Sequence, residues 1–387
     1  MIPYGRHHID QQDIDHVIEV LKGDWLTCGP IVETFEMELA TQVGASHAVS
    51  CSNGTTALHL AMLALNIGAD DVVLVPAITF LASANAARYV GANVVFVDVD
   101  PKTGLMTPET LKAAIIAHAD KNLKAVVNVH LAGQCEDLEK IHEISRQYGL
   151  WIIEDAAHAL GTIYTDSTGQ DHRIGANSFS DLTTFSFHPV KTIAMGEGGA
   201  ITTQNIQIAA KLKLLRSHGM VREASQWQGT ETGPWYYEMQ ELGYNYRISD
   251  INCALGSSQL KKLESFVEKR RSLVDQYDRA FASSSVLTPL MKLPASRTVW
   301  HLYIVQMDFA QLQMSRADLM GQLKNKGIGT QVHYIPLYHQ PYYKNLYGDI
   351  SLPGAEAYYA SCLSLPLYAG LAQNQQDAVI EAVLSHA

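Results

Sequence analysis

The chain has 387 residues, 47% of them hydrophobic, and a formal net charge of −11. That length suggests two or three domains, and that apolar share fills a large core without covalent staples. The acidic balance argues against a nucleic-acid partner, whose footprint is basic, and no apolar stretch reaches bilayer length, so no membrane span is expected.

In chain order, residues 10–22 carry helical spacing (Ile14, Val17, Ile18, Leu21) behind Asp10 as a cap. A strand at 48–51 leads into an Ala- and Leu-rich helix at 55–66. Strands at 72–76, 94–98, 125–129 and 150–154 then alternate with helices at 82–89, 108–118 and 137–148. The strands at 72–76, 125–129 and 150–154 are continuous apolar runs. Such strands are covered on both faces, which predicts an α/β fold with a mostly parallel sheet flanked by helices. Past residue 250 the texture changes. One long helix is expected at 251–274, a strand at 301–307, a helix at 316–326, a strand at 329–334 and a closing helix. This reads as a large domain at 1–250 and a smaller C-terminal α/β domain at 251–387.

Five cysteines, Cys28, Cys51, Cys135, Cys253 and Cys362, lie far apart, with no Cys-x-x-Cys pair and no tight Cys/His spacing for a metal. Reduced thiols in a cytoplasmic protein are the expectation, and the start, Met1 to Arg6, has no apolar signal segment.

The chemistry centres on Lys191. The run Leu182 to Phe187 alternates like a strand, stops at Pro189, and delivers a lysine ahead of Gly196-Glu197-Gly198-Gly199. Thirty-six residues upstream of it, the strand Trp151-Ile152-Ile153-Glu154-Asp155 ends in a carboxylate. An amine and a carboxylate at the ends of separate strands can grip pyridoxal phosphate: the amine forms an imine with the aldehyde and the carboxylate keeps the pyridine nitrogen protonated. A surface lysine after a turn and an aspartate capping a loop are the plain alternatives.

Other segments fit around that pair. Ser52-Asn53-Gly54-Thr55-Thr56 joins a strand to a helix, where free amides and the helix dipole favour phosphate; an ordinary N-cap is the commoner meaning of such a loop. Ser186 could donate to the same phosphate, Phe80 could stack on the ring, and His158 could reach the ring oxygen or be a satisfied core histidine. The aromatic-rich segment from Val332 to Tyr343 could seat a sugar or pack as a surface loop. No Gly-x-Gly-x-x-Gly follows the first strand, which disfavours a dinucleotide-dependent oxidoreductase.

Together these segments resemble the DegT/DnrJ sugar aminotransferase family of fold-type I pyridoxal phosphate enzymes. The resemblance spans Trp25 to Pro30, Asn53-Gly54-Thr55, Pro76 to Phe80, Glu154 to Gly161, Phe185 to Lys191, Gly196 to Gly199, Leu242 to Arg247 and Val332 to Pro341. It implies Lys191 as imine-forming lysine and proton shuttle, and Asp155 as partner of the pyridine nitrogen. It further implies Gly54, Thr55 and Ser186 on the phosphate, Phe80 and His158 at the ring, and Asn245 reaching the phosphate of a neighbouring subunit in a homodimer. Tyr4, Arg247 and His333 are implied as substrate contacts. Position 53 is Asn where relatives often have serine, and 158 is His where many have Gln. Lysine rather than histidine at 191 favours transamination over dehydration. The segments 186–191, 216–220 and 331–334 are similar to the branch that aminates a UDP-4-keto-6-deoxy-N-acetylhexosamine with glutamate in pseudaminic acid biosynthesis. Another nucleotide-linked keto sugar on a dTDP or GDP carrier, or a non-catalytic regulator on the same scaffold, is the alternative.

Overall fold

The computed structural model describes residues 1–231 and 233–386. The chain opens with α1 (Gln11–Lys22), capped by Asp10 as expected through a reciprocal box with Asp13. A helix that sequence reading passed over, α2 (Pro30–Val43), follows. Its first turn is capped from far away: the amides of Gly29 and Ile31 donate to the two oxygens of Asp250, at 2.8 and 3.0 Å. A carboxylate there meets free amides and the positive end of the helix.

Seven strands form the main sheet: β1 (His47–Cys51), β2 (Val72–Pro76), β3 (Asn93–Val97), β4 (Leu123–Val129), β5 (Trp151–Asp155), β6 (Leu182–Ser186) and β7 (Gly199–Thr203). Their spatial order is β1-β7-β6-β5-β4-β2-β3. All pairings from β3 to β6 are parallel, and only β7 runs against its neighbours. The linking helices are α3 (Gly54–Ala64), α4 (Leu81–Tyr89), α5 (Pro108–Ala117), α6 (Leu138–Gln147) and α7 (Ile206–Arg216). The continuous apolar runs have the predicted cause. On β2, Val73 and Val75 enter one core, while Val72 and Leu74 enter the core on the opposite face. Helix α3 is apolar nearly all round because it is wedged between the sheet, α4 and α7.

The expected helix at 251–274 is two helices, α8 (Asp250–Leu260) and α9 (Leu263–Phe281). The break falls at Lys261-Lys262, where the Lys262 ammonium turns onto Asp10 and Asp13 of α1. Helix α9 then packs against a three-stranded antiparallel sheet, β8 (Leu287–Pro289), β9 (Tyr303–Met307) and β10 (Cys362–Leu365). Helix α10 (Arg316–Asn325) and the C-terminal helix Gln373–Leu384 share that second core.

The strand expected at 329–334 is absent. The segment makes only an isolated bridge from Gln331 to Ser364, after one from Ile328 to Ile2. Gln331, Val332, His333 and Tyr334 all line one cavity, and Val332 also packs against the main core. Past the Gln331 bridge the chain is held by side chains instead of a ladder: Ser364 Oγ lies 2.8 Å from His333 Nδ1, and the Tyr358 hydroxyl donates to the His333 carbonyl at 2.8 Å. No described helix is long and apolar enough to cross a membrane.

Glu36 ties α2 to the sheet. It is buried, accepts from the Ser50 amide (2.9 Å) and hydroxyl (2.8 Å), and pairs with Arg216 of α7. Removing one partner of a buried pair leaves an uncompensated charge. Glu36→Ala should therefore lower unfolding free energy by about 3 kcal/mol, read from urea unfolding midpoints.

Candidate active site

The carboxyl ends of parallel strands converge on one cavity of ≈ 900 Å³. Ligands in open α/β sheets bind outside these ends. Asp155 is the last residue of β5, and Lys191 follows β6, its parallel neighbour. Tyr4, Gly54, Thr55, Phe80, Asp155, His158, Ser186, Lys191 and His333 all line the cavity. Asn245 and Arg247 do not. Asn245 is exposed, and the Arg247 guanidinium lies 3.5 Å from the Ser217 hydroxyl.

Lys191 keeps some access to the cavity, yet burial around the amine brings its pKa down to about 8, while the nearby Asp155 carboxylate pulls the other way. A lysine so placed supplies a free amine near neutral pH, as a nucleophile or a proton carrier must. Asp155 is held by two donors. The Ser83 hydroxyl bonds Oδ2 at 2.7 Å, itself within 2.7 Å of Thr79 Oγ1, and the Ala157 amide reaches Oδ1 at 3.2 Å. Glu154, one residue earlier, takes the other face of β5. It accepts from Thr183 Oγ1 (2.7 Å) and Ser180 Oγ (3.2 Å) and sits 3.6 Å from His130. The two adjacent carboxylates thus serve different ends, one braced in the protein and one presented to the cavity.

The loop before α3 is a capped helix start. Asn53 Oδ1 accepts from the Thr56 amide at 2.9 Å, and Thr56 Oγ1 accepts from the Asn53 amide at 3.1 Å. The Asn53 side chain is thereby committed to the cap. The next two amides, Gly54 and Thr55, are those a helix leaves without an internal acceptor. Ser186 closes this cradle: a Cβ on Gly54 would come within 2.8 Å of the Ser186 Cβ. From beneath, a Cβ on Gly199 would overlap the Asn53 carbonyl and lie 2.8 Å from the Gly54 nitrogen.

Imidazoles and phenols make the far wall. His158 is buried, and its Nδ1 has no hydrogen-bond partner among the described residues, so it is not a satisfied core histidine. Its ring centroid lies 4.3 Å from His301, and its Nε2 is 3.4 Å from the Tyr334 hydroxyl. His333 is fixed by Ser364 Oγ at 2.8 Å and lies 5.5 Å from the Tyr4 ring. Burial, reinforced by the Lys191 charge, holds His158 and His301 well below the usual imidazole range and brings His333 to about 3. The three are neutral donors and acceptors at pH 7. Phe80 stands at the mouth, 53% exposed and 6.1 Å from Tyr334. Ser83, Thr79 and His301 escaped sequence reading. Ser83 carried one usable signal: it stands one helical turn from Thr79, next to the singled-out Phe80.

The chain matches the model of the DegT/DnrJ/EryC1/StrS aminotransferase family over residues 7–384, and it belongs to that family. It is a pyridoxal-phosphate-dependent sugar aminotransferase. Among curated relatives it is 38% identical to the spore coat polysaccharide biosynthesis protein SpsC of Bacillus subtilis, over 99% of this chain and 96% of the relative. It is 37% identical to the UDP-4-amino-4,6-dideoxy-N-acetyl-beta-L-altrosamine transaminase of Campylobacter jejuni, over 95% and 93%. Among solved structures it is similar to Helicobacter pylori PseC, an aminotransferase involved in the biosynthesis of pseudoaminic acid. That match has a TM-score of 0.89 and 29% identity, covering 100% of this chain and 98% of the other. The matched structures include PLP and PMP forms of one enzyme from Streptococcus pneumoniae, at 30% and 29% identity and TM-scores of 0.88 and 0.89. The residues present here fit that cofactor: an unpartnered imidazole nitrogen, an amide cradle that excludes side chains beneath it, and a carboxylate facing a desolvated amine.

Two outcomes follow for the protein freed of cofactor. Acylation of Lys191, followed by peptide mass mapping, should show a midpoint near pH 8, against about 10.4 for an unperturbed lysine. Gly199→Ala should destabilise the fold by about 1–3 kcal/mol and weaken cofactor binding, measured by thermal unfolding and absorbance titration.

Proposed function

We propose that the protein transfers the amino group of glutamate to C4 of a UDP-4-keto-6-deoxy-N-acetylhexosamine. The product is UDP-4-amino-4,6-dideoxy-N-acetyl-β-L-altrosamine, an intermediate of pseudaminic acid biosynthesis. The observation that carries transamination is Lys191, an amine of lowered pKa set opposite Asp155 in the cavity. The substrate rests on the named Campylobacter and Helicobacter relatives. A different nucleotide-linked keto sugar is the second reading, favoured by the equal likeness to a spore coat polysaccharide protein. A non-catalytic regulator would have no use for a costly desolvated amine.

Pyridoxal phosphate, when bound, supplies a carbonyl to carry the amino group and a pyridinium to spread carbanion charge. The Gly54 and Thr55 amides and the Ser186 hydroxyl would take its phosphate, Asp155 its ring nitrogen, His158 its ring oxygen and Phe80 its face. In this reading Lys191 Nζ removes the α-proton of glutamate and later delivers a proton to C4 of the sugar. Tyr4 and His333 would seat the sugar, and the neutral imidazoles donate without adding a charge that would raise the cost of protonating Lys191.

The same reading makes the working unit a homodimer. Lys191 is the only lysine or arginine among the described residues lining the cavity, whereas Asp155 and Glu197 are both there. A diphosphate and a dicarboxylic amino acid need further cationic or amide donors. Asn245 and Arg247, exposed to different degrees outside their own cavity, would serve a partner's. Trp25, Trp235 and Leu242, 59%, 75% and 76% exposed, offer apolar surface for that contact.

Lys191→Ala should lower turnover by at least about 10⁴-fold while retaining part of the cofactor affinity. Wild-type enzyme given glutamate and a panel of UDP-, dTDP- and GDP-linked 4-keto sugars should aminate the UDP-N-acetyl substrate with the highest kcat/KM, the product identified by mass and NMR. A preference for a dTDP sugar would move the assignment to the second reading, and undiminished turnover by Lys191→Ala would end both.

A further inference from the structure

Arg270, in the middle of α9, is 1% exposed and makes no ion pair among the described residues. Its Nη1 instead donates to three carbonyls, those of Trp300 (3.3 Å), His301 (3.2 Å) and Leu367 (3.2 Å). Nε has no partner among the described residues. Burial lowers the guanidinium pKa to about 10, so the charge persists at pH 7. A buried charge without a counter-ion is expensive, and a methionine would fill the same space at lower cost. What the guanidinium provides instead is simultaneous reach to two chain segments.

One segment enters the cavity wall and the other is bonded to it. His301 lines the cavity, and its own amide is fixed to Ala132 O at 2.9 Å. Trp300, just before it, has φ of 56°, a region sterically disfavoured for a residue bearing a Cβ. A backbone so strained stays put only when its surroundings over-determine it. On the other side, the Leu367 amide donates to Tyr4 O at 3.0 Å, and Tyr4 lines the cavity next to His333. One side chain therefore links the supports of two wall residues distant in sequence.

The geometry points to Arg270 as a positioning residue that sets the places of His301 and Tyr4, and with them the seat of the sugar nucleotide. It touches neither cofactor nor substrate and acts through the two carbonyl-bearing segments. His301 then takes part in the wall through a ring whose Nδ1 is buried without a partner among the described residues, available to a sugar hydroxyl or carbonyl. The inference rests on the aminotransferase reading for what the wall holds, not for the clamp itself.

The test uses the holoenzyme carrying Arg270→Lys, which keeps a buried cation but ends one bond short of the Nη1 position that meets the three carbonyls, and Arg270→Met as an apolar comparison. Each half-reaction is followed separately in stopped flow by the cofactor's absorbance. Arg270→Lys should lower kcat/KM for the keto sugar about tenfold or more and change the glutamate half-reaction less than threefold. In a background carrying both His301→Ala and Tyr4→Ala the same change should cost under threefold, because both of its routes have been removed. A crystal structure of Arg270→Lys should show His301 and Tyr4 displaced relative to Lys191, a readout that stands even if no keto sugar in the panel is accepted. Equal losses in both half-reactions, full additivity with the His301→Ala and Tyr4→Ala pair, or an undisplaced wall would overturn the inference. Arg270→Met matching wild type in the sugar half-reaction would do so as well.

Discussion

The desolvation of one amine next to one carboxylate is what the remaining architecture serves. Lys191 and Asp155 stand at the ends of adjacent parallel strands, where the sheet stops and the cavity begins. Water is kept from the amine by packing, which favours its neutral form, while Asp155 supplies the field that opposes this. The balance yields an amine that can give and take a proton near neutral pH. Keeping it requires that Asp155 not swing away. Ser83 and the Ala157 amide bind its two oxygens; the first sits in the opening turn of helix α4, and the second in the turn just after β5.

Neutral polarity elsewhere in the cavity follows from the same constraint. A second cation beside Lys191 would lower its pKa further, and an ionised imidazole would do so most. His158, His301 and His333 are buried deeply enough to stay uncharged, and each still presents ring nitrogens. Acidic residues lie on the lining as well, so the chain by itself offers anions little beyond amides and hydroxyls. In the proposed dimer that deficit is met from the neighbouring copy, leaving each cavity electrically tuned for its lysine.

The second sheet enters the site through backbone rather than through chemistry of its own. Residues 331–334 leave β-structure where they line the cavity, and Ser364 of β10 fixes His333 from behind. The buried Arg270 draws the 300–301 bend and the irregular segment after β10 at 367 to one point. Stability is given up here for placement, since carbonyls and a bare guanidinium make a poorer core than hydrocarbon.

Much of this was legible in the residues. Apolar runs announced buried parallel strands because a strand covered on both faces has no polar side. Strand-end positions marked Lys191 and Asp155, and the Asn53-Gly54-Thr55 start marked a helix with open amides. Helix α2 was missed because its cap, Asp250, is supplied from across the sequence. The break at Lys261-Lys262 was missed because the pull of Asp10 and Asp13 on Lys262 exists only once α1 and α8 are packed. Period and local cap chemistry act over a few residues, so the sequence by itself determined the parallel strands of the main sheet, most helices and the lysine–carboxylate pair, but not β7, β8 or β10, and it set a strand at 329–334 where none forms. Which imidazoles lose their water and what Arg270 holds were decided only by tertiary structure. Burial and long-range hydrogen bonds are properties of neighbours that the linear chain does not specify.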